Sequence, residues 1–289
     1  MFKKQNIVIK LLIVNLAVFL VINLFYVILF LFKGTDVFDV FLGFLTVPSD
    51  VKKLLFRFWT PFTYMFVQSS FWHIFGNMLW LYFLGLILLR FINEDDFFAL
   101  YILGGLSGAA MFILAFNLFP VFSDAKIFSK ALGASASVTA IVIALATMKP
   151  KEEIHLFGLV KIKMVYIAIF ILIYDFFLLT SDNAGGHFAH FGGAIYGYFF
   201  GKYYSQGKNI QEKFAQFLGR VFSFDFRPKT KFTVIKNNLH SRDDLKYNKT
   251  KTEIKNEIDR ILDKISRSGY KSLSKKEKNF LIEYGDKYK

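Results

Sequence analysis

Three polar clusters interrupt the apolar stretches of this sequence, and their residue types suit one kind of chemistry. The first is Trp72-His73-Ile74-Phe75-Gly76-Asn77, the second Gly133-Ala134-Ser135-Ala136-Ser137, and the third Gly186-His187-Phe188-Ala189-His190-Phe191-Gly192-Gly193. Polar groups within apolar spans are costly, so each needs a reason to be there. A serine hydroxyl is a poor nucleophile until a base takes its proton, and a neutral imidazole can do so near neutral pH. The tetrahedral oxyanion then needs donors, which an asparagine amide and a backbone N–H supply. His73 and Asn77 are four residues apart, so a helix places both on one face. Serine plus histidine, without an acidic third member, is a workable variant of that chemistry.

The elements that must position these groups are apolar helices. The 289 residues are 54% apolar and 19% aromatic, with no cysteine. That composition implies a surface that faces lipid, and it removes disulfides, thiolate catalysis and cysteine-ligated metal. Six apolar segments stand out, at about 7–32, 71–92, 97–122, 132–148, 162–180 and 186–204, and most are long enough to cross a hydrocarbon core of ~30 Å. The first follows Lys3, Lys4 and Lys10, but its apolar run is too long for a cleaved leader and no small-x-small site follows, so it reads as a retained span. A fourth helix from Ser135 to Met148 is only ~21 Å long, which leaves Ser135 roughly 10 Å below one surface and calls for a water-filled cavity. Ala136, Ala140 and Ala144 repeat every fourth residue, as do Ala189, Gly193, Gly197 and Gly201, so helices four and six are expected to pack closely.

Charge placement sets the expected orientation. Residues 1–201 carry 14 Lys/Arg and 11 Asp/Glu, net +3, whereas residues 202–289 carry 22 and 11, net +11. The N-terminus, the 149–163 loop and the tail are the basic connections, so both termini are expected in the cytoplasm, with Ser135 toward the outer side. The 33–70 loop departs from this pattern with Lys52, Lys53 and Arg57. It is also unusually aromatic, with Phe56, Phe58, Trp59, Phe62, Tyr64 and Phe66, as expected of a structure lying partly in the outer leaflet. Residues 205–250 read as a polar linker. Residues 251–289 read as a small cytoplasmic helical hairpin, with Ile254, Ile258, Ile261, Leu262 and Ile265 on one face and a Ser274/Glu277 capping box. The basic tail suits a partner or an anionic lipid surface, and no nucleic-acid motif accompanies it.

Taken together, His73-x-x-x-Asn77, Gly133-x-Ser135-x and Ala189-His190-x-x-Gly193-x-x-x-Gly197 resemble the rhomboid intramembrane serine proteases, in that order and over about residues 7–204. The resemblance implies an all-α, polytopic six-helix bundle in which Ser135 is the nucleophile and His190 the base. His73 and Asn77 would then line the oxyanion site, with Gly133, Gly193 and Gly197 in support. It also implies single-span membrane protein substrates, cut near the outer surface beside a small residue, with no cofactor and no metal. A bacterial inner-membrane location fits. Departures are Ala136 where many members have glycine, Thr60 after Trp59 where Trp-Arg is frequent, and Thr139 where some place a tyrosine against the histidine.

Other chemistries fit less well. An aspartyl protease needs two carboxylates sharing a proton, and Asp175 in the fifth span has no second acid; it is expected to face a cavity or a hydrogen-bond partner. His-Glu-x-x-His is absent, which removes that metalloprotease pattern. His187, one turn before His190, is the rival base, while His155 and His240 lie in polar regions. A small transporter would show paired charges or broken helices at the midplane, and none is seen. The principal alternative is a catalytically inactive relative that binds membrane clients.

Overall fold

In the computed structural model, residues 6–156, 160–221 and 243–284 are described. Lys3, Lys4, His240 and the 222–242 stretch of the expected linker lie outside the described residues. The chain divides into two compact units, Met1–Phe224 and Asp225–Lys289.

The larger unit begins with α1 (Ile7–Leu31), capped by Asn6, whose side chain accepts from the Ile9 amide at 3.1 Å. This helix is apolar all round and buries only Val8, Leu11, Asn15 and Ile22, so most of its surface faces lipid. The aromatic loop that follows is folded. It contains α2 (Thr35–Gly43), strand β1 (Val47–Pro48), α3 (Val51–Leu55) and α4 (Thr60–Thr63), then a 3-10 turn at Tyr64–Phe66. Phe56, Phe58, Trp59 and Phe62 remain exposed on its outside. Lys53 and Arg57, two of its basic residues, have partners within the structure. Lys53 donates to the Ile127 carbonyl at 2.7 Å, and Arg57 donates to the Gly43 carbonyl while covering the Phe44 ring.

The bundle proper consists of α5 (Phe71–Leu88), α6 (Glu94–Leu118), α7 (Ser135–Met148), α8 (Met164–Phe177) and α9 (Ala184–Tyr204), together with α1. It is a helical polytopic membrane fold. By length and composition α1, α5 and α6 can each cross a membrane, and α7 and α8 are shorter apolar helices. α6 opens on Glu94, Asp95 and Asp96, whose charge complements the positive end of the helix. α7 is the centre: every residue from Ala136 to Ala146 is buried. Strand β2 (Lys130–Ala131), just before α7, pairs antiparallel with β1, with Val47 opposite Ala131. That ladder, with Ser49 and Asn117 bonded across it, ties the aromatic loop to the segment that leads into α7.

Two stretches differ from their sequence reading. The basic 149–163 loop contains an antiparallel hairpin of β3 (Glu153–Leu156) and β4 (Val160–Lys163), anchored by an Arg90–Glu152 ion pair. The expected 205–250 linker is not uniformly structureless: α10 (Glu212–Val221) folds back on α6 and buries Ala215 and Leu218. The segment leading into it is held by Asp96, whose buried carboxylate accepts from Asn209 at 2.6 Å and Asn93 at 2.8 Å, while Gln211 donates to the Asp96 carbonyl. An apolar stripe only one or two turns long gives little periodicity to read, which is why this helix is hidden in the sequence.

In the smaller unit, α11 (Asp243–Ser268) starts earlier than the 251 boundary, and Gly269 (φ +75°) ends it. α12 (Lys275–Tyr284) follows. Ile261 and Leu273 are buried between them. Ser274 and Glu277 form a reciprocal capping box, the Ser274 amide donating to Glu277 at 2.8 Å and the Glu277 amide to Ser274 Oγ at 3.3 Å.

Candidate functional site

α5, α7 and α9 begin, and α8 ends, at the same end of the bundle, and the polar clusters gather there. Ser135 is the first residue of α7, partly exposed, and its Oγ makes no hydrogen bond among the described residues. Ser137 is fully buried, with its hydroxyl against Gly105 of α6 and without a partner. The two serines therefore point to different sides of α7, and only Ser135 is accessible.

Gly133 explains how the turn before α7 reaches this geometry. Its φ of +120° is one that L side chains rarely adopt, and a Cβ there would stand 2.7 Å from His73 Cε1 and 2.8 Å from His73 Nε2. The same point is 3.7 Å from Ser135 Oγ, so the imidazole of His73 lies beside the serine. The Gly133 amide donates to the Tyr64 carbonyl at 2.9 Å. Burial keeps the Tyr64 phenol well above its usual pKa, so it stays protonated and donates to the Gly105 carbonyl.

The protonation of His73 follows from its neighbours. The Ser69 backbone N–H donates to His73 Nδ1 at 3.3 Å, and Ser69 Oγ lies 2.9 Å from the same nitrogen. A backbone N–H can only donate, so Nδ1 is an acceptor and the ring hydrogen sits on Nε2, the nitrogen that lies against Gly133. One turn deeper, buried Asn77 donates one Nδ2 hydrogen to Gln68 Oε1 at 2.9 Å, and Gln68 in turn donates to Asn15 at 3.3 Å. Asn15 donates to the Tyr101 hydroxyl at 3.2 Å. The second Nδ2 hydrogen of Asn77 has no partner among the described residues.

The helix that carries His190 packs closely on α7. A Cβ at Gly193 would overlap the Ala136 carbonyl, one at Gly197 the Ala140 carbonyl, and one at Gly201 would stand 2.8 Å from the Ala144 carbonyl. The glycine stripe of α9 thus lies residue for residue on the alanine stripe of α7, and Ala189 and Ala136, the neighbours of His190 and Ser135 in the chain, both lie against Gly108 of α6. On the other side of α9, Gly192 rests on α6, where Ser107 Oγ donates to its carbonyl at 2.7 Å.

No hydrogen bond joins His190 to Ser135 or to Thr139 among the described residues. The ring is held from α8: His190 Nδ1 donates to Asp175 Oδ1 at 2.8 Å, and His187 Nδ1 donates to that same oxygen at 2.8 Å. The two rings meet edge to face, with centroids 5.7 Å apart. A proton on Nδ1 leaves Nε2 of His190 with the lone pair of a base. The arrangement therefore offers an unpartnered hydroxyl, a ring nitrogen able to accept a proton and a ring N–H able to donate to an oxyanion.

Sequence reasoning missed Ser69 and Gln68, which orient His73 and Asn77, and did not name the partners of Asp175. The available signals were a Gln-Ser pair beside His73 and a single carboxylate within a span. Asp175, His187 and His190 also offer ligand atoms within 4.8 Å of one another, a spacing a metal ion could use, but their mutual hydrogen bonds already account for it.

A family model described as Rhomboid domain matches residues 55–207. A second, described as Family of unknown function (DUF6576), matches residues 243–287. No curated protein matches the chain.

Proposed function

The chain belongs to the rhomboid family, and from that premise we propose that it is an active intramembrane serine protease that cuts transmembrane proteins with a Ser135–His190 dyad. The observation that carries this reading is the opposite protonation of the two imidazoles near Ser135. His73 has its hydrogen on Nε2, beside the serine, whereas His190 has its hydrogen on Nδ1 and a free Nε2.

The reaction then runs as acyl transfer. His190 Nε2 takes the Ser135 proton, Oγ adds to the scissile carbonyl, and the oxygen becomes an anion. His73 Nε2–H and the free Nδ2 hydrogen of Asn77 donate to it, as does the Ser135 amide, which has no helical partner at the start of α7. Protonated His190 gives its proton to the leaving amine, and a water activated by the same nitrogen releases the acyl group. Ser135 lies roughly 10 Å below the outer surface if the far end of α7 is at the interface, so substrates are single-span proteins that unwind near that surface. Both termini are cytoplasmic in this reading, in a bacterial inner membrane. The aromatic loop rests in the outer leaflet, and the basic hairpin unit docks to a partner or to anionic lipid.

A serine-directed fluorophosphonate probe in detergent, paired with cleavage of a model single-span substrate, tests the proposal. Wild type and Ser137→Ala should label and cleave, while Ser135→Ala and His190→Ala should do neither and remain folded. A wild-type protein that labels no faster than Ser135→Ala would instead be the inactive client-binding relative.

A further inference from the structure

We infer that Asp175 on α8 is a positioning residue for this reaction, fixing the His190 ring with its lone pair on Nε2 and balancing the imidazolium that forms as Ser135 is deprotonated. The inference rests on the Ser135–His190 reading above.

The carboxylate is buried, 2% exposed, and its only hydrogen-bond partners among the described residues are the two imidazoles. Both donate to Oδ1 from one turn of α9, so the carboxylate is braced from two sides and the His190 ring cannot turn its Nδ1 elsewhere without losing that bond. Oδ2 is buried and has no partner among the described residues. A buried carboxylate with two neutral donors and one empty oxygen is under-compensated at rest. When His190 takes the serine proton, a full positive charge appears on the ring whose Nδ1 lies 2.8 Å from Oδ1. The attraction is therefore larger in the transition state than in the resting enzyme, which is the condition for it to raise turnover. Asp175 stays ionised throughout; the serine proton moves to His190 Nε2 and from there to the leaving amine. A tether between α8 and α9 would need neither the charge nor the empty oxygen.

Asp175→Asn keeps the shape and an acceptor for both rings but removes the charge. Full-length protein carrying Asp175→Asn, Asp175→Ala or Asp175→Glu is compared with wild type for kcat, KM and the rate of fluorophosphonate labelling. Asp175→Asn should lower kcat about thirty-fold or more with KM within about three-fold, and labelling should slow in parallel. Asp175→Ala should fall further, by about a hundred- to a thousand-fold, and Asp175→Glu should recover part of the loss. If Asp175→Asn melts lower but turns over normally per labelled molecule, Asp175 is a tether and the inference is overturned. It is overturned equally if Asp175→Asn is indistinguishable from wild type while Ser135→Ala and His190→Ala are dead. Activity surviving in His190→Ala would remove the dyad reading itself.

Discussion

Replacing Gly197 by alanine is the sharpest test of how α9 carries His190 to α7. The added Cβ would overlap the Ala140 carbonyl oxygen and stand 2.9 Å from Ala140 Cα and 3.0 Å from its carbonyl carbon. Those are backbone atoms in a buried helix, so no rotamer change relieves the clash, and the helices must separate by about 1 Å to restore ordinary contact. Overpacking of this kind costs about 1–3 kcal/mol, which lowers the melting temperature in detergent. Gly197 lies seven residues from His190, ~10 Å along the helix, so the separation is transmitted to the ring. A misplacement of about 1 Å at reacting groups costs on the order of a hundred-fold in rate. Thermal melting and steady-state cleavage of a model substrate, run side by side, should therefore show lower stability and a kcat down about a hundred-fold with KM little changed. Gly201→Ala, whose Cβ meets the Ala144 carbonyl less closely and one turn farther away, should lose less of both. Unchanged melting and turnover in Gly197→Ala would refute the close-packing argument.

The remaining predictions are more local. His73→Ala and Asn77→Ala should each slow kcat by about a hundred- to a thousand-fold without abolishing it, and full activity in both would mean that they only pack α5. Truncation after residue 221 should keep turnover in detergent. Truncation after residue 210 removes α10 and the Gln211 bond to Asp96, and should lower the melting temperature; equal melting of the two would show that α10 contributes nothing to the bundle. In the hairpin unit, hydrogen bonds from Lys264 and Ser274 pull the Glu277 carboxyl down to about 2. Its stabilising effect is present above the ordinary value and is lost as the pH falls through about 2, so amide exchange in the first turn of α12 should accelerate over that interval. Glu277→Gln should exchange faster at neutral pH and show no such transition.

The long helices were legible because their apolar runs are long and their polar lapses few, and the ~21 Å length read for the fourth span is the length of α7. The candidate site residues stand out for the same reason: His73, Asn77, Ser135 and His190 are costly where they stand. Their orientation does not. Which nitrogen of His73 carries the hydrogen depends on Ser69, four residues earlier in a loop, and that of His190 depends on Asp175, fifteen residues away on another helix. Neither relation leaves a periodic trace. The β3–β4 hairpin is hidden because its strands are four residues each and their lysines read first as charge.

The composition of α9 has a consequence for how the protein is made. The helix opens on Ala184-Gly185-Gly186-His187 and carries glycine at four further positions on the faces it presents to α6 and α7. It is not among the helices that qualify to cross a membrane by length and composition. What favours it in the bilayer is the groove between α6 and α7, where the Gly192 carbonyl accepts from Ser107, together with Asp175 of α8, which accepts from both imidazoles; lipid offers neither. Synthesis delivers α9 after both walls of that groove, so its insertion is coupled to assembly. On the protease reading proposed above, the base thus arrives last: a nascent chain still at the insertion machinery would hold its nucleophile without the histidine that activates it.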